Sequence, residues 1–348
     1  MLRENFDVVE ITSNAPNYPL RFLSVGIRLV FSRKRDVQAI YIGWMGHPLV
    51  LLAKLISRKP IIFDAFISLY DSICLDRQTI RPSSIIGKGI YLLDRMSCRL
   101  SDRIILDTET HRQFFIEKFG INPDAVKVLY VCTDTAIFKP LSVKRKDEFK
   151  DKFIVGFHGS FIPLQGIEFI LKAAKILSSH DDILIRLLGT GREMGMAQAL
   201  KKNLNLRNVE FIDTFIPIGE LPEFIRENDV GLGIFGTAEK VQRVIPNKVF
   251  ENAACGIATI SANTPGIQEL FTDGKDIILC RAGDPQDLAD AILKLKQDPM
   301  LRNSIAKEGS ETIKKICDVA SRERAIAAIV METIYGTINS AAVSASPR

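Results

Sequence analysis

The stretch that most constrains this chain is Arg243-Val-Ile-Pro-Asn-Lys-Val-Phe-Glu-Asn-Ala-Ala-Cys-Gly256, followed at once by Ile257-Ala-Thr-Ile-Ser261. Pro246 fixes φ where a first-turn donor is not needed, and Gly256 turns left-handed at little cost, so the two bracket a helix over 246–255. Val249, Phe250, Ala253 and Ala254 give that helix an apolar side to lie on a sheet. Lys248, Glu251 and Asn252, three and four residues apart, share a face that presents charge. The five residues that follow are small or apolar without alternation, the pattern of a strand buried on both sides of a parallel sheet. Two readings of the charged face stand side by side: a solvated face with an i,i+3 ion pair, or a nucleotide site in which Glu251 accepts ribose hydroxyls and Lys248 or Arg243 meets phosphate.

At 348 residues the chain exceeds what one hydrophobic core usually serves, so two domains are expected. Strands are expected at 6–11, 39–43, 60–63, 103–107 and 126–130, separated by helices at 20–33, 48–57, 89–100 and 109–119, which makes a first domain over 1–140. Residues 141–152, dense in charge and without period, read as a linker. A second domain over 153–318 alternates strands at 153–158, 183–188, 209–212, 230–235, 258–261 and 277–280 with helices near 167–178, 193–203, 219–227, 246–255 and 266–271. Its last helix is capped by Asp284 with Pro285 at the first position. Residues 318–338 carry a further helical pattern, and the small residues of 340–348 read as a frayed end. Strands alternating with helices imply parallel, doubly wound α/β sheets in both domains.

A hydrophobic fraction of 47% with 25% charged residues is that of a soluble globular protein. No apolar run approaches the roughly 18 residues of a membrane span; the best, 48–56, carries Lys54. The first residues lack the apolar core of a signal peptide, so a cytoplasmic location is expected. Cysteines at 74, 98, 132, 255, 280 and 317 show no C-x-x-C spacing and read as free thiols. Residues 1–140 hold 19 Lys and Arg against 14 Asp and Glu, and the remaining 27 against 27 cancel, so the whole excess of +5 lies in the first part. Its densest piece, Arg28-Leu-Val-Phe-Ser-Arg-Lys-Arg35, is either a solvated helix end or a peripheral contact with an anionic membrane or phosphorylated acceptor. Nucleic acid is not an expected partner.

Five motifs, Asn247-Lys-Val-Phe-Glu251, Ala254-Cys-Gly256, Thr264-Pro-Gly-Ile-Gln-Glu269, Thr272-Asp-Gly274 and Gly283-Asp-Pro-Gln-Asp-Leu-Ala289, in this order and spacing, resemble the donor-binding half of the family 4 retaining glycosyltransferases. The resemblance covers roughly 150–315 well and the first 140 residues loosely. It implies the GT-B fold, two Rossmann-like domains facing across a cleft, with the terminal helix crossing back onto the first domain. It also implies transfer of a sugar from a UDP- or GDP-sugar donor to a hydroxyl of a glycan or lipid-linked acceptor, in polysaccharide or glycoconjugate biosynthesis. The nucleotide sugar is a substrate, so no cofactor is expected. By the resemblance the chain begins at about the family's second strand, so the first domain lacks its initial βα unit, through a late start codon or through loss.

The same resemblance assigns the site. Arg243 and Lys248 would hold phosphate, Glu251 the ribose, Asn247 and the backbone of Thr264, Pro265 and Gly266 the nucleotide sugar, and Asp64 the acceptor. The loop Gly159-Ser-Phe-Ile-Pro-Leu-Gln-Gly166 joins a strand to a helix and would offer backbone N–H groups to the diphosphate. Where family members carry an arginine and a lysine in it, this chain has Ser160 or Phe161 and Gln165, so cation contacts are lost at that edge. The first of the family's two glutamates is Arg243 here; either Arg243 and Lys248 have taken over diphosphate binding, or the protein is a non-catalytic relative. A nucleotide-sugar epimerase of the same architecture is the other rival.

Gly189-Thr-Gly191 with Gly195 lacks the spacing of a dinucleotide fingerprint. No Asp-x-Asp occurs, and no metal site is expected. His158, at a strand end, is a candidate for the donor site. His47 reads as structural, His111 as exposed at a helix start, and Asp64 is preferred over Asp71 as the acceptor-side carboxylate.

Overall fold

A computed structural model describes the protein over residues 2–32, 37–43, 45–142 and 145–344. It divides into two compact units, Met1–Tyr130 with Asp318–Arg348, and Val131–Cys317.

In the first unit β1 (Ile40–Ile42), β2 (Ile61–Asp64), β3 (Arg103–Leu106) and β4 (Val126–Val128) form a parallel sheet in chain order. Helices α1 (Leu2–Asn5), α2 (Tyr18–Phe31), α3 (His47–Ile56), α4 (Ile85–Leu100) and α5 (Glu109–Phe119) accompany it. Local chemistry fixes their ends: Ser84 accepts from the Gly87 amide to start α4, Thr108 accepts from the His111 amide to start α5, and Gly120 closes α5 at φ 62. On one sheet face Phe63, Ile104 and Leu106 pack with Val50, Ala53, Cys98, Phe115 and Phe119. On the other, Ile62 and Ile105 pack with Ile329, Val330 and Ile334 of the terminal helix Val319–Ser344.

The strand expected at 6–11 does not form. Phe6 closes α1 through its amide to Leu2 and packs with the terminal-helix cluster, and 7–11 runs without a ladder. Val-Val-Glu-Ile has β propensity, but a strand needs a neighbour's donors and acceptors to exist. Helix α4 begins four residues before its expected start because Ser84 caps it, while its first residues, Ile85 and Ile86, are exposed and give no amphipathic signal. Arg28 donates to the Thr12 carbonyl, and Arg33, Lys34 and Arg35 lie outside the described residues. Of the tail, 345–348 lie outside them too. No described helix is long and apolar enough to cross a membrane.

The second unit has a six-stranded parallel sheet of β5 (Phe153–His158), β6 (Ile183–Leu188), β7 (Val209–Ile212), β8 (Val230–Leu232), β9 (Ala258–Ala262) and β10 (Ile278–Cys280). Its spatial order is β10-β9-β8-β5-β6-β7. The chain winds outward from β5 to β7, returns to the other side of β5 as β8, and winds outward again. That reversal falls between β5 and β8, and the carboxyl ends of strands at such a point are the usual ligand position in open α/β sheets. Around the sheet lie α6 (Ile167–Ile176), α7 (Met194–Asn203), α8 (Leu221–Arg226), α9 (Asn247–Ala254), α10 (Pro265–Gln268), α11 (Pro285–Gln297) and α12 (Pro299–Ile316). All six residues of β5 are buried, as a central strand covered on both faces requires. Helix α12 is absent from the expected elements, although Asp298 caps it before Pro299 by the same device that starts α11 at Asp284-Pro285.

The charge-dense segment 141–152 belongs to the second unit, so the division falls at Tyr130/Val131 instead of within it. Arg145 pairs with Asp229 at 2.8 Å, and buried Phe149 lies under the Arg186 guanidinium, 4.5 Å from its centroid. Arg186 is itself held by Glu210 and Glu227, each at 2.8 Å. Charge density signals a solvated linker only when no partners are near; here Asp229 and Glu227, just past α8, meet Arg145 and Lys146.

At the carboxyl end of β6, Gly189 has φ +133, and a Cβ there would stand 2.0 Å from the Gly159 carbonyl oxygen. Neither backbone can retreat without breaking the sheet. Gly189→Ala should therefore cost about 3 kcal/mol or more, read as a fall in urea midpoint at unchanged m-value. A loss below about 1 kcal/mol would show that this contact does not set the loop.

Candidate functional site

The site is built on the loop that follows β5. Phe161 donates its amide to Thr190 and accepts from the Glu193 amide, which ties the loop to the turn after β6. A 3₁₀ turn, Pro163–Gln165, then leads to Gly166 at φ +70. A Cβ on Gly166 would meet the Gly236 amide nitrogen at 2.5 Å, so only glycine fits before α6 begins.

Helix α9 brings its functional side chains to this loop. The Lys248 ammonium donates to the Gln165 side-chain oxygen and sits 4.2 Å from the centroid of the Phe157 ring. It passes 3.0 Å from where a Cβ on Gly159 would be. One turn on, Glu251 Oε2 is 2.7 Å from Nε2 of His158, the last residue of β5. Five sequence candidates thus meet: His158, Gly159, Gln165, Lys248 and Glu251.

Two expectations are corrected by this geometry. The 246–255 helix does not present a solvated face: Lys248 and Asn252 are buried, with the Asn252 amide donating to the Leu232 carbonyl, and Glu251 is half-buried. Nor is the loop edge without a cation, because Lys248 reaches from α9 to the Gln165 side chain.

Burial dominates the electrostatics. It lowers the Lys248 pKa to about 7, with the nearby Glu251 charge opposing the fall. It also lowers the His158 pKa, again opposed by the hydrogen bond to Glu251. A neutral imidazole facing a carboxylate carries its proton on the facing nitrogen, so Nε2–H donates to Glu251. His158 Nδ1 is then a buried acceptor with no hydrogen-bond partner.

The remaining candidates make no side-chain contact within this cluster. Ser160 and Asn247 are exposed. Thr264 caps α10 by accepting from the Ile267 amide, Pro265 opens it, and Gly266 packs against the backbone of Gln242 and Arg243. Arg243 closes the 3₁₀ turn Glu239–Arg243, with its buried side chain 3.6 Å from Glu239.

Asp64 belongs to the first unit, at the end of β2, where the Tyr41 hydroxyl donates to it at 2.7 Å. Burial raises the pKa of both groups. His111, expected to be exposed, is buried: its Nδ1 lies 2.6 Å from Asp107 Oδ1 and its ring meets Phe115 edge-on at 4.9 Å. A position one turn into a helix carries no sign of which way the ring faces. His47 is buried too, 3.3 Å from Asp94, a carboxylate that accepts from Ser68 and the Tyr70 amide. Burial takes His47 down to about 4 and Asp94 up to about 6. Among the described residues no group of three or more His, Cys, Asp or Glu is placed to hold a metal ion.

Residues 139–312 match the family described as Glycosyl transferases group 1. The chain belongs to this family. D-inositol 3-phosphate glycosyltransferases of Thermomonospora curvata and Acidothermus cellulolyticus are 24% and 27% identical over 234 and 221 residues, covering 59% and 60% of this chain and 51% and 48% of theirs. The chain thus spans about half the length of these curated relatives. Among solved structures, Anabaena HepE in complex with UDP-glucose superposes with a TM-score of 0.71 at 17% identity, over 93% of this chain and 85% of that one. Sucrose-phosphate synthase of Thermosynechococcus elongatus gives 0.72 at 15%, over 95% and 83%. These likenesses establish the GT-B type of fold, two parallel-sheet α/β domains, for this group 1 member.

The Lys248 pKa carries a prediction for the ligand-free protein. In the unfolded chain it lies near 10.5 and in the folded chain near 7, so between these values the unfolded state binds more protons and stability rises with pH. The penalty for burying the charge is complete below pH 7 and gone above 10.5. Lys248→Met should be more stable than the parent at pH 6–7, by on the order of 2–4 kcal/mol, and this advantage should vanish toward pH 10. Urea midpoints of the two proteins across that range test it; a constant difference would mean Lys248 is not buried as a charge.

Proposed function

We propose that this protein is a retaining glycosyltransferase that moves a sugar from a nucleoside-diphosphate donor to a hydroxyl acceptor. The observation that carries the reading is the cluster at the β5–β8 reversal: a buried ammonium over a glycine turn, one helical turn from a carboxylate with a free oxygen. Glu251 accepts from the ribose hydroxyls. Lys248, those N–H groups of the loop 159–166 that do not already donate within the fold, and the amino end of α6 face the diphosphate, and stabilise the charge that develops on it as the sugar departs. Ser160 and Asn247 line the rim, and Arg243 with the turn Thr264–Gly266 contacts the phosphate and sugar. HepE, solved with UDP-glucose, lends support to a uridine donor.

On the retaining reading the leaving phosphate oxygen takes the acceptor proton as the new bond forms on the same face. Asp64, its pKa raised by burial, is the acceptor-side group that orients the hydroxyl. A glycan or lipid-linked acceptor is the class proposed, with use in polysaccharide or glycoconjugate assembly.

Thermal-shift titration with UDP, GDP and ADP tests the donor site. One of them should stabilise the parent by roughly 2.7 kcal/mol at 100 times its dissociation constant, and the shift should disappear in Glu251→Ala. Because only the ammonium form attracts phosphate, the dissociation constant of that nucleotide should rise with pH above about 7, and Lys248→Met should flatten the profile. Nucleotide binding with no turnover of the matching nucleotide sugar would favour a non-catalytic subunit, and epimerised sugar with free nucleotide would favour an epimerase. For transfer, Asp64→Asn should slow the reaction about 10- to 100-fold while leaving nucleotide affinity unchanged.

A further inference from the structure

We infer that His158 is a positioning residue for ribose recognition: it fixes one oxygen of Glu251 so that the other is presented to the nucleotide. The inference rests on the nucleotide reading of this site. Glu251 stands on the same helix as Lys248, three residues away, and both face the loop after β5. A carboxylate with three rotatable bonds beside an ammonium would ordinarily swing onto it, and an ion pair of that kind would neutralise both groups before any ligand arrived. In the structure this does not happen. The ammonium donates to the Gln165 amide oxygen, and Glu251 Oε2 is taken by His158 Nε2 at 2.7 Å.

His158 is suited to that task by its place in the fold. It ends β5, the central strand that is hydrogen-bonded on both sides, and it is 5% exposed, so its ring has no freedom to follow a moving carboxylate. The neutral Nε2–H tautomer leaves Nδ1 buried without a partner, an arrangement that costs stability. What it secures is separation. The cation is turned to the loop where a diphosphate would lie, and the carboxylate keeps one oxygen open for two ribose hydroxyls.

Calorimetric titration of the full chain with UDP and with 2′,3′-dideoxy-UDP, for the parent, Glu251→Ala, His158→Gln and His158→Phe, tests the inference; GDP and its dideoxy analogue serve if GDP is the nucleotide bound. The parent should prefer the ribose form by about tenfold or more, a loss that Glu251→Ala reproduces. His158→Phe should bring the two affinities to within about twofold by weakening the ribose form alone, and His158→Gln, whose amide N–H can reach the carboxylate, should keep most of the preference. Equal weakening of both ligands in His158→Phe, or an unchanged preference, overturns the inference. Should that variant not fold, ¹⁵N imidazole spectra of the parent decide instead. A neutral Nε2–H tautomer that responds to UDP and not to its dideoxy analogue is expected; an Nδ1–H tautomer, or equal response to both, overturns it. Failure of the parent to bind either nucleotide removes the donor reading and this inference with it. A parent preference for ribose that persists in His158→Phe removes this inference alone.

Discussion

An ammonium taken out of water is the most demanding group in the second unit, and much of the local structure answers to it. Burial pushes Lys248 toward the neutral amine, and the Phe157 ring face, the Gln165 oxygen and the Glu251 field that surround it are what favour the charged form. Room for it exists because residue 159 has no side chain. Gly159 is held in place by Gly189, which allows the turns after β5 and β6 to touch, and Gln165 is aimed by the left-handed Gly166 that follows. A single buried charge therefore rests on three glycines and the ends of two strands. Stability given up there is the kind of expense that binding sites carry.

The second consequence is a division of labour along one helix. In α9 the residues that pack on the sheet, Val249, Phe250 and Ala253, are interleaved with those that meet the loop, Lys248 and Glu251. Packing of α12 behind α9 closes the other side, so the helix has no solvated stripe in the middle. The carboxylate and the ammonium stay distinct because each has a neutral partner of its own, the imidazole and the amide. Neutral partners hold direction without cancelling charge, which is what the proposed donor site requires. In the first unit hydroxyls play the same part, with Tyr41 on Asp64 and Ser68 on Asp94.

The sequence by itself determined the α/β class, most strands to within a residue or two, the bracketing of α9 by Pro246 and Gly256, and the candidate status of His158, Gln165, Lys248 and Glu251. These are legible because each depends on neighbours in the chain: buried parallel strands are continuous apolar runs, and proline, glycine and capping aspartate act within one turn. Tertiary structure alone decided that 6–11 has no sheet partner, that Arg145 and Lys146 find theirs in Asp229 and Glu227 between α8 and β8, and that His111 turns inward. It also decided that Lys248 crosses to Gln165 and that Glu251 belongs to His158, across 83 and 93 residues of chain. A one-dimensional pattern records which side chains share a helix face. It holds no record of what that face will meet, because that is fixed by the order in which six strands assemble.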